Sequence, residues 1–169
     1  GFKAFFELPA GIRDSERATR IQEKLLQLKE QGKQLLEGEQ VRNETAHIRC
    51  VGLTIETRPD HGRLVHGNTM LRYGCTRVEL GIQSVYEHSL DFINRCHTEL
   101  ENRQSIQELK DLGFKLNFHY MPGIPDVDRE KDIKGMQSLF SNPAYRPDML
   151  KIYPLMIMPG TPFYEEWKE

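Results

Sequence analysis

Residues 77–83 read Arg-Val-Glu-Leu-Gly-Ile-Gln, a short and mainly apolar run that ends on an amide side chain. Three similar runs occur in the chain, and successive runs start about 30 to 40 residues apart, the length of a strand–helix–strand unit. Because helical patterns separate the runs, the alternation predicts an α/β fold with a parallel sheet and helices outside it. The four predicted strands are Ile48–Glu56, Arg77–Gln83, Lys115–Met121 and Met149–Leu155.

The segments between these strands carry helical patterns and helix-ending residues. Thr98 and Glu101 have the spacing of a capping box. Gly74 and Gly113 stand where helices would end, just before the next strand. The predicted helices lie near Leu64–Tyr73, Val85–Cys96, Leu100–Leu112 and Asp132–Phe140.

The first 47 residues have a different pattern. Gly1–Gly11 is apolar and is predicted to be the tail of a strand and its loop. From about Asp14 to Gln40 the composition predicts a polar amphipathic helix, capped by Asp14 or Ser15. One helix could end at Gly32 and a second could begin after it. We expect this helix to cover a sheet, with a partner-binding helix as the alternative. Its apolar stripe comprises Ile21, Leu25, Leu28, Leu35 and Leu36.

Composition excludes several classes of protein. The 169 residues include 23 Lys and Arg and 25 Asp and Glu, which gives a net charge of −2. This charge argues against strong non-specific binding of nucleic acid, although it does not exclude a local basic patch. The sequence contains no run of about 18 apolar residues, so no membrane span is predicted. It does not open with the pattern of a secretory signal. Cys50, Cys75 and Cys96 are too widely spaced for a disulfide framework or a zinc knuckle. We interpret them as small buried hydrophobic residues of a cytoplasmic protein.

Two architectures fit the alternation of strands and helices: an open doubly wound sheet and part of a barrel. A complete eight-unit barrel needs about 250 residues, so this chain cannot close one alone. No G-x-G-x-x-G or G-x-x-x-x-G-K motif follows a predicted strand, which weakens the case for the nucleotide-binding open folds.

Polar side chains stand near the ends of the predicted strands. Glu56, Gln83, His119 and Lys151 supply a carboxylate, an amide, an imidazole and an amine. In parallel α/β folds the functional site lies at the carboxyl ends of the strands. We therefore expect these four groups to meet at that end of the sheet, which we call the mouth.

Three of these groups also have a purely structural explanation. Glu56, expected to be buried, could pair with Arg58 or Arg77. His119 could be a satisfied core histidine, and Lys151 could extend into solvent.

Several longer strings together resemble the Elongator complex protein 3 family, the catalytic subunit of Elongator and a radical S-adenosylmethionine enzyme. The resemblance runs from about Asn43 to Lys168. It is carried by VGLTIETRPD (Val51–Asp60), YGCTRVELGIQSVYE (Tyr73–Glu87), Asn94-Arg95 followed by His97-Thr98, MPGIPDVDREKD (Met121–Asp132) and RPDMLKIYPLMIMPGTPFYEEWK (Arg146–Lys168).

This resemblance implies both an architecture and a reaction. Residues 1–169 would be a partial radical S-adenosylmethionine (β/α) barrel, with 1–47 as a helical lead-in and 48–169 as four β/α units. The family uses S-adenosylmethionine, a [4Fe–4S] cluster and acetyl-CoA to install a carboxymethyl-type group on carbon 5 of the wobble uridine of tRNA. The implied partners are tRNA and other Elongator subunits, with no membrane.

Site roles follow from the resemblance residue by residue. Glu56 and Gln83 would contact the ribose and amino region of the cofactor, and Arg95 would bind its methionine carboxylate. Gly123 would allow close approach of the adenine ring. His119 and Lys151 would face the radical, substrate or acetyl group as catalytic residues. Candidate RNA contacts near the barrel mouth are Arg58, Arg63, Arg72 and Arg77, with a solvated basic face as the alternative.

The chain departs from the family at the metal site. The family's three cluster-binding cysteines lie upstream of the matched region, and Cys50, Cys75 and Cys96 form no such group. No acetyltransferase-like domain follows, so we expect an internal piece that is inactive alone. Two other functions stay open: a radical enzyme related to anaerobic porphyrin oxidases, and a non-catalytic scaffold or tRNA-binding module.

Overall fold

A computed structural model describes residues 1–9, 14–31 and 35–168. The chain divides into two compact units, Gly1–Arg49 and Cys50–Glu169, close to the boundary between residues 47 and 48 that the sequence suggests. None of the described helices is both long and apolar enough to cross a membrane.

The first unit is helical. Its helices are α1 (Phe2–Phe5), α2 (Ser15–Gln31) and α3 (Leu36–Thr45). Asp14 caps α2 as predicted, because its Oδ1 accepts a hydrogen bond from the backbone N–H of Arg17 at 2.9 Å. Helix α2 ends just before Gly32, which itself lies outside the described residues.

One expectation for the first unit was wrong, and another is met only in part. The described part of Gly1–Gly11 holds a helical turn instead of a strand tail, since Phe6 donates its N–H to the carbonyl of Phe2 at 3.0 Å and their rings lie 4.6 Å apart. Residues 10 and 11 lie outside the described residues. Of the predicted apolar stripe, Ile21 is buried and Leu36 is half-buried, whereas Leu25, Leu28 and Leu35 are exposed. The charged residues nearby engage one another. The carboxylate of Glu7, for example, binds both Arg20 and Lys24.

The second unit is built on four strands. These are β1 (Leu53–Thr57), β2 (Cys75–Gln83), β3 (Lys115–Tyr120) and β4 (Met149–Ile152). They form one sheet in the order β1-β2-β3-β4, and every neighbouring pair is parallel, as predicted. The connecting helices are α4 (Leu64–Arg72), α5 (Glu87–Phe92), α6 (Glu99–Asp111) and α7 (Arg129–Ser141), with a 3-10 turn at Pro59–His61 and α8 (Pro162–Lys168) after the sheet.

The two faces of the sheet differ in chemistry because side chains alternate along each strand. One face packs against the helices, with Leu80 of β2, Phe118 of β3 and Ile106 of α6 all essentially inaccessible to solvent. We call the opposite face the polar face. Its residues are Thr54, Glu56, Arg77, Glu79, Gly81, Gln83, Lys115, Asn117, His119, Met149 and Lys151.

Helix signals in the sequence are confirmed. Thr98 and Glu101 form the capping box at the start of α6, with the backbone N–H of Glu101 donating to Thr98 Oγ1 at 3.2 Å. Gly74 and Gly113 adopt φ values of +80° and +86° after α4 and α6, a conformation that suits glycine.

Some predicted boundaries were too wide. Strand β1 begins at Leu53 instead of Ile48, and β4 ends at Ile152, two residues before Pro154, which has no N–H to pair. Helix α5 is shorter than expected and is followed by Asn94 in the left-handed region, at φ +51°.

The cysteines only partly match their expected burial. Cys75 is buried at the start of β2, whereas Cys50 and Cys96 are exposed. Cys50 also lies before β1 instead of within it, because that strand begins at Leu53. The interpretation as buried hydrophobic residues therefore holds for Cys75 alone.

We expect Ile106→Ala to lower the free energy of unfolding by about 2–5 kcal/mol, because it removes a buried side chain from the contact between α6 and the sheet. Leu100→Ala on the same helix is the matched control. Leu100 is half exposed and should cost less than about 0.5 kcal/mol. Urea unfolding followed by circular dichroism measures both, and equal losses would contradict this packing.

Candidate active site on the polar face

A buried carboxylate lies at the centre of the polar face. Glu79 stands in the middle of β2, and its Oε2 accepts hydrogen bonds from His119 Nε2 at 3.0 Å and from the Lys151 ammonium. His119 comes from β3 and Lys151 from β4, so one oxygen atom joins three strands. Sequence reasoning missed Glu79 because it searched the strand ends. The available signal was a carboxylate in an apolar run, in alternation with Gln83.

The electrostatics of Glu79 follow from these contacts. The hydrogen bond from Lys151 is the largest influence and, together with that from His119, it lowers the pKa of Glu79 to about 2 although burial acts in the opposite direction. Glu79 is therefore ionised at neutral pH. An ionised carboxylate can only accept hydrogen bonds, so both neighbours must donate to it.

His119 links this buried centre to the surface. Its side chain is only 7% exposed, and its Nδ1 lies 3.5 Å from Oε1 of Glu56, whose side chain is 65% exposed. The expected burial of Glu56 was wrong, because within the described residues β1 is an edge strand of the sheet.

Neither of the alternative partners suggested for Glu56 pairs with it in the structure. Arg58 binds Asp60, with 2.6 Å between Nη2 and Oδ2. Arg77 donates to Thr54 Oγ1 at 3.0 Å, and its Nη2 lies 3.8 Å from Glu79 Oε1.

A second group of polar contacts adjoins the first at the end of β2. Gln83, the last residue of the strand, has a φ of +62°, and its Oε1 accepts a hydrogen bond from the Tyr153 hydroxyl at 2.8 Å. The Tyr153 ring meets the His119 imidazole edge to face, with 6.0 Å between centroids. A left-handed glutamine is an uncommon and costly conformation, which is typical of functional sites. Sequence reasoning did not select Tyr153, which lies just beyond β4.

Arg95 reaches the same place from the loop after α5. Its Nη2 donates to the carbonyl of Gly81 at 3.4 Å, and its Nε is buried without a hydrogen-bond partner. Burial is the main cause that lowers the pKa of Arg95 from its usual value. A Cβ on Gly81 would lie 3.0 Å from Gln83 Nε2 and 3.1 Å from Arg95 Nη2, so glycine leaves room for both groups.

Gly123 lies in the loop after β3. Its φ of +80° explains the glycine, and the space beside it is open. Its backbone N–H donates to Asp132 Oδ2 at 2.7 Å, so this amide is already engaged.

The four arginines selected as RNA contacts do not share one location. Arg58 and Arg63 follow the carboxyl end of β1, and Arg63 binds Glu108 with 2.6 Å between Nη2 and Oε1. Arg72 ends α4 and Arg77 stands near the start of β2, so both belong to the opposite end of the sheet. A grouping of all four at the mouth was therefore wrong.

Three side chains of the polar face have the donor types of a metal site. Glu56, Glu79 and His119 offer ligand atoms within 4.8 Å of one another. However, Glu79 already binds the Lys151 ammonium and His119 Nε2, so these residues form a network of hydrogen bonds around one carboxylate. The described residues contain no comparable group of thiols, and the cysteines do not fit an iron–sulfur cluster.

Comparison with known proteins gives closely similar relatives. The chain is 49% identical over 133 residues to the tRNA uridine(34) acetyltransferase of Methanocaldococcus jannaschii, covering 79% of this chain and 25% of that protein. It is 49% identical over 126 residues to Elongator complex protein 3 of Dictyostelium discoideum and 48% identical to the human protein, covering 75% of this chain in each case. No protein-family model matches. The chain spans about a quarter of the length of these relatives and is homologous to that part of them.

Solved structures give the same result for the fold. The archaeal Elp3 of Methanocaldococcus infernus with an N-terminal deletion matches with a TM-score of 0.75 and 47% identity, over 78% of this chain and 31% of that one. Two radical SAM proteins share the fold at low identity. Coproporphyrinogen III oxidase of Escherichia coli matches with a TM-score of 0.55 and 20% identity, over 63% of this chain and 24% of that one. The methyltransferase TsrM of Kitasatospora setae matches with a TM-score of 0.60 and 13% identity, over 78% of this chain and 26% of that one. The predicted partial parallel barrel is thereby confirmed.

The pKa of Glu79 predicts a specific loss of stability in acid. Because the folded-state pKa is lowered from about 4.5 to about 2, the ionised group stabilises the fold above pH 4.5, and this contribution is lost as the pH falls toward 2. We expect Glu79→Gln to reduce the slope of stability against pH in this window. Thermal unfolding at a series of pH values measures the slope. The control is Glu130→Gln, which alters an exposed carboxylate. Parallel curves for wild type and Glu79→Gln would contradict the assignment.

Proposed function

We propose that this chain, a homologue of a segment of Elongator complex protein 3, is the S-adenosylmethionine-binding part of an enzyme that modifies carbon 5 of the wobble uridine of tRNA with a group from acetyl-CoA. The observation that carries the proposal is the half-buried Arg95 guanidinium, whose Nε lacks a partner beside Gln83. A buried donor of this kind requires an acceptor, and a carboxylate matches a guanidinium best.

The residues present fit S-adenosylmethionine by their chemistry. Arg95 would hold its methionine carboxylate, and the carboxylate of Glu56 and the amide of Gln83 would accept hydrogen bonds from its ammonium or ribose hydroxyls. The left-handed backbone of Gln83 and the missing side chain of Gly81 support this role, since they bring both polar groups to one point. Bound S-adenosylmethionine would supply the radical chemistry that the family resemblance implies.

The chain's own residues would prepare the substrate side of the site. Lys151 presents a half-exposed ammonium beside His119, and both are held by the ionised Glu79. An ammonium can donate to a carbonyl oxygen of an acyl group or a uracil ring. The second ring nitrogen of His119, Nδ1, lies on the side of the exposed Glu56, 3.5 Å from its Oε1.

We propose the [4Fe–4S] cluster as a cofactor of the whole enzyme and not of this chain alone. The cysteines among the described residues do not fit it, so the thiolates would have to come from elsewhere in the enzyme. Gly123 near the adenine ring stays a prediction.

The macromolecular partners are proposed from the homology. tRNA would approach the carboxyl ends of the strands, where Arg58 and Arg63 lie. Both form ion pairs with carboxylates at 2.6 Å, so they would have to exchange those partners for phosphate. Other Elongator subunits as partners and a cytoplasmic location complete the proposal.

The two other candidate functions receive less support. The likeness to coproporphyrinogen III oxidase is 20% in identity and concerns the fold alone. A non-catalytic RNA-binding module would not need an unpartnered buried guanidinium beside a left-handed glutamine.

A chimera tests the proposal. The matching 133 residues of this chain would replace their counterpart in the Methanocaldococcus jannaschii enzyme. We expect the chimera to bind S-adenosylmethionine and to modify tRNA uridine, and Arg95→Gln to weaken cofactor binding by about 10- to 100-fold, because it removes charge-assisted hydrogen bonds to a carboxylate. Calorimetry measures binding, and mass spectrometry of tRNA nucleosides measures modification.

The control for this experiment is Arg103→Gln, which alters an exposed arginine paired with Glu99 on α6. It should leave cofactor binding within twofold of the wild-type chimera. Equal affinity of Arg95→Gln and wild type, or a folded chimera without cofactor binding, would overturn the proposal.

The same chimera tests the basic residues at the mouth. We expect tRNA affinity to fall steeply with rising salt, and Arg58→Gln to reduce the slope of log affinity against log salt by about 1, because one phosphate contact is lost. Filter binding between low and physiological salt measures the slope. An unchanged slope in Arg58→Gln would remove Arg58 from the interface.

A further inference from the structure

The backbone around Glu79 is held from both sides. Its strand β2 is hydrogen-bonded to β1 and to β3, and Glu79 stands in register with Glu56 on one side and Asn117 on the other. Its side chain is buried, and the apolar face of the same strand is packed against helices. The carboxylate is therefore a fixed point on the polar face.

Two side chains from the neighbouring strands are attached to this fixed point. Lys151 is 49% exposed, and its four-carbon stem would sample many rotamers without a partner. Its ammonium binds the same Glu79 oxygen that accepts from His119 Nε2. One of its three N–H donors is thereby occupied, and within the described part of the chain the other two have no acceptor and can meet a ligand.

Glu79 also determines which nitrogen of His119 carries the proton. Because ionised Glu79 can only accept, His119 must hold its hydrogen on Nε2. Nδ1, which lies 3.5 Å from Glu56 Oε1, is then the second ring nitrogen, not committed to Glu79. It faces the exposed carboxylate and not the buried one.

We infer that Glu79 is a positioning residue of the reaction, which fixes the Lys151 ammonium and holds His119 in the Nε2–H tautomer for use by the reacting groups. This inference rests on the proposed function. It assigns a role to a buried residue that acts through two neighbours.

Two measurements on the chain itself test the geometric half of the inference. In the ¹⁵N spectrum of His119 at neutral pH we expect the Nε2–H tautomer in the wild type and a mixture in Glu79→Gln. In competitive labelling with an amine-reactive acetylating reagent, we expect Glu79→Gln to raise the rate at Lys151 at least fivefold. The rate at Lys134, which is paired with Glu130 on the surface of α7, should stay within twofold.

Glu130→Gln is the matched control, because it removes a carboxylate partner from a different lysine. It should raise labelling at Lys134 by less than twofold and leave Lys151 unchanged. An Nδ1–H tautomer in the wild type, or equal labelling of Lys151 in wild type and Glu79→Gln, overturns the inference. If Glu79→Gln does not fold, the tautomer of His119 in the wild type decides whether the inference holds.

The chimera tests the functional half. We expect Glu79→Gln to lower the turnover of tRNA modification at least tenfold with little change in the KM for S-adenosylmethionine, and Glu79→Asp to restore part of it. Full turnover in a folded Glu79→Gln chimera overturns the inference and leaves the proposed function intact. A folded but inactive wild-type chimera contradicts the proposed function, and the tautomer and labelling results then decide the geometric half alone.

Discussion

A buried negative charge in the centre of the sheet is the constraint on which the site depends. An ionised carboxylate away from water is tolerated only when cations and donors meet it. Glu79 therefore requires His119 from β3 and Lys151 from β4, and this requirement links three strands in one register. A slip of one residue would turn Glu79 into the apolar core, because successive side chains point to opposite faces.

Much of the fold follows from local sequence. Alternating apolar runs and helical segments predicted four parallel strands, and the capping box of α6 was readable at Thr98 and Glu101. Strand ends were less predictable, because an apolar run such as that beginning at Ile48 can continue where no neighbouring strand offers hydrogen-bonding groups. The turn at Phe2–Phe5 depends on contacts among aromatic rings, which no strand or helix periodicity in so short a segment reveals.

The site was predictable only where its residues stand at strand ends. Parallel topology brings Gln83, His119 and Lys151 to one face, as expected from the sequence. Glu79 was not predicted as a site residue because it lies within a strand, and the sequence of that strand does not show which residues pair with its carboxylate. The exposure of Glu56 could not be foreseen either, since it depends on β1 lying at the edge of the described sheet. Side-chain pairing across strands is a property of the register and not of any single segment.

The most direct test is a crystal structure of the chimera with S-adenosylhomocysteine, the thioether analogue that keeps the amino-acid and adenosine groups. The account predicts that its carboxylate lies within hydrogen-bond distance, about 3 Å, of the Arg95 guanidinium, with its adenosine over the carboxyl ends of β1 to β4. A ligand seated elsewhere, with Arg95 still directed only at the carbonyl of Gly81, would contradict it.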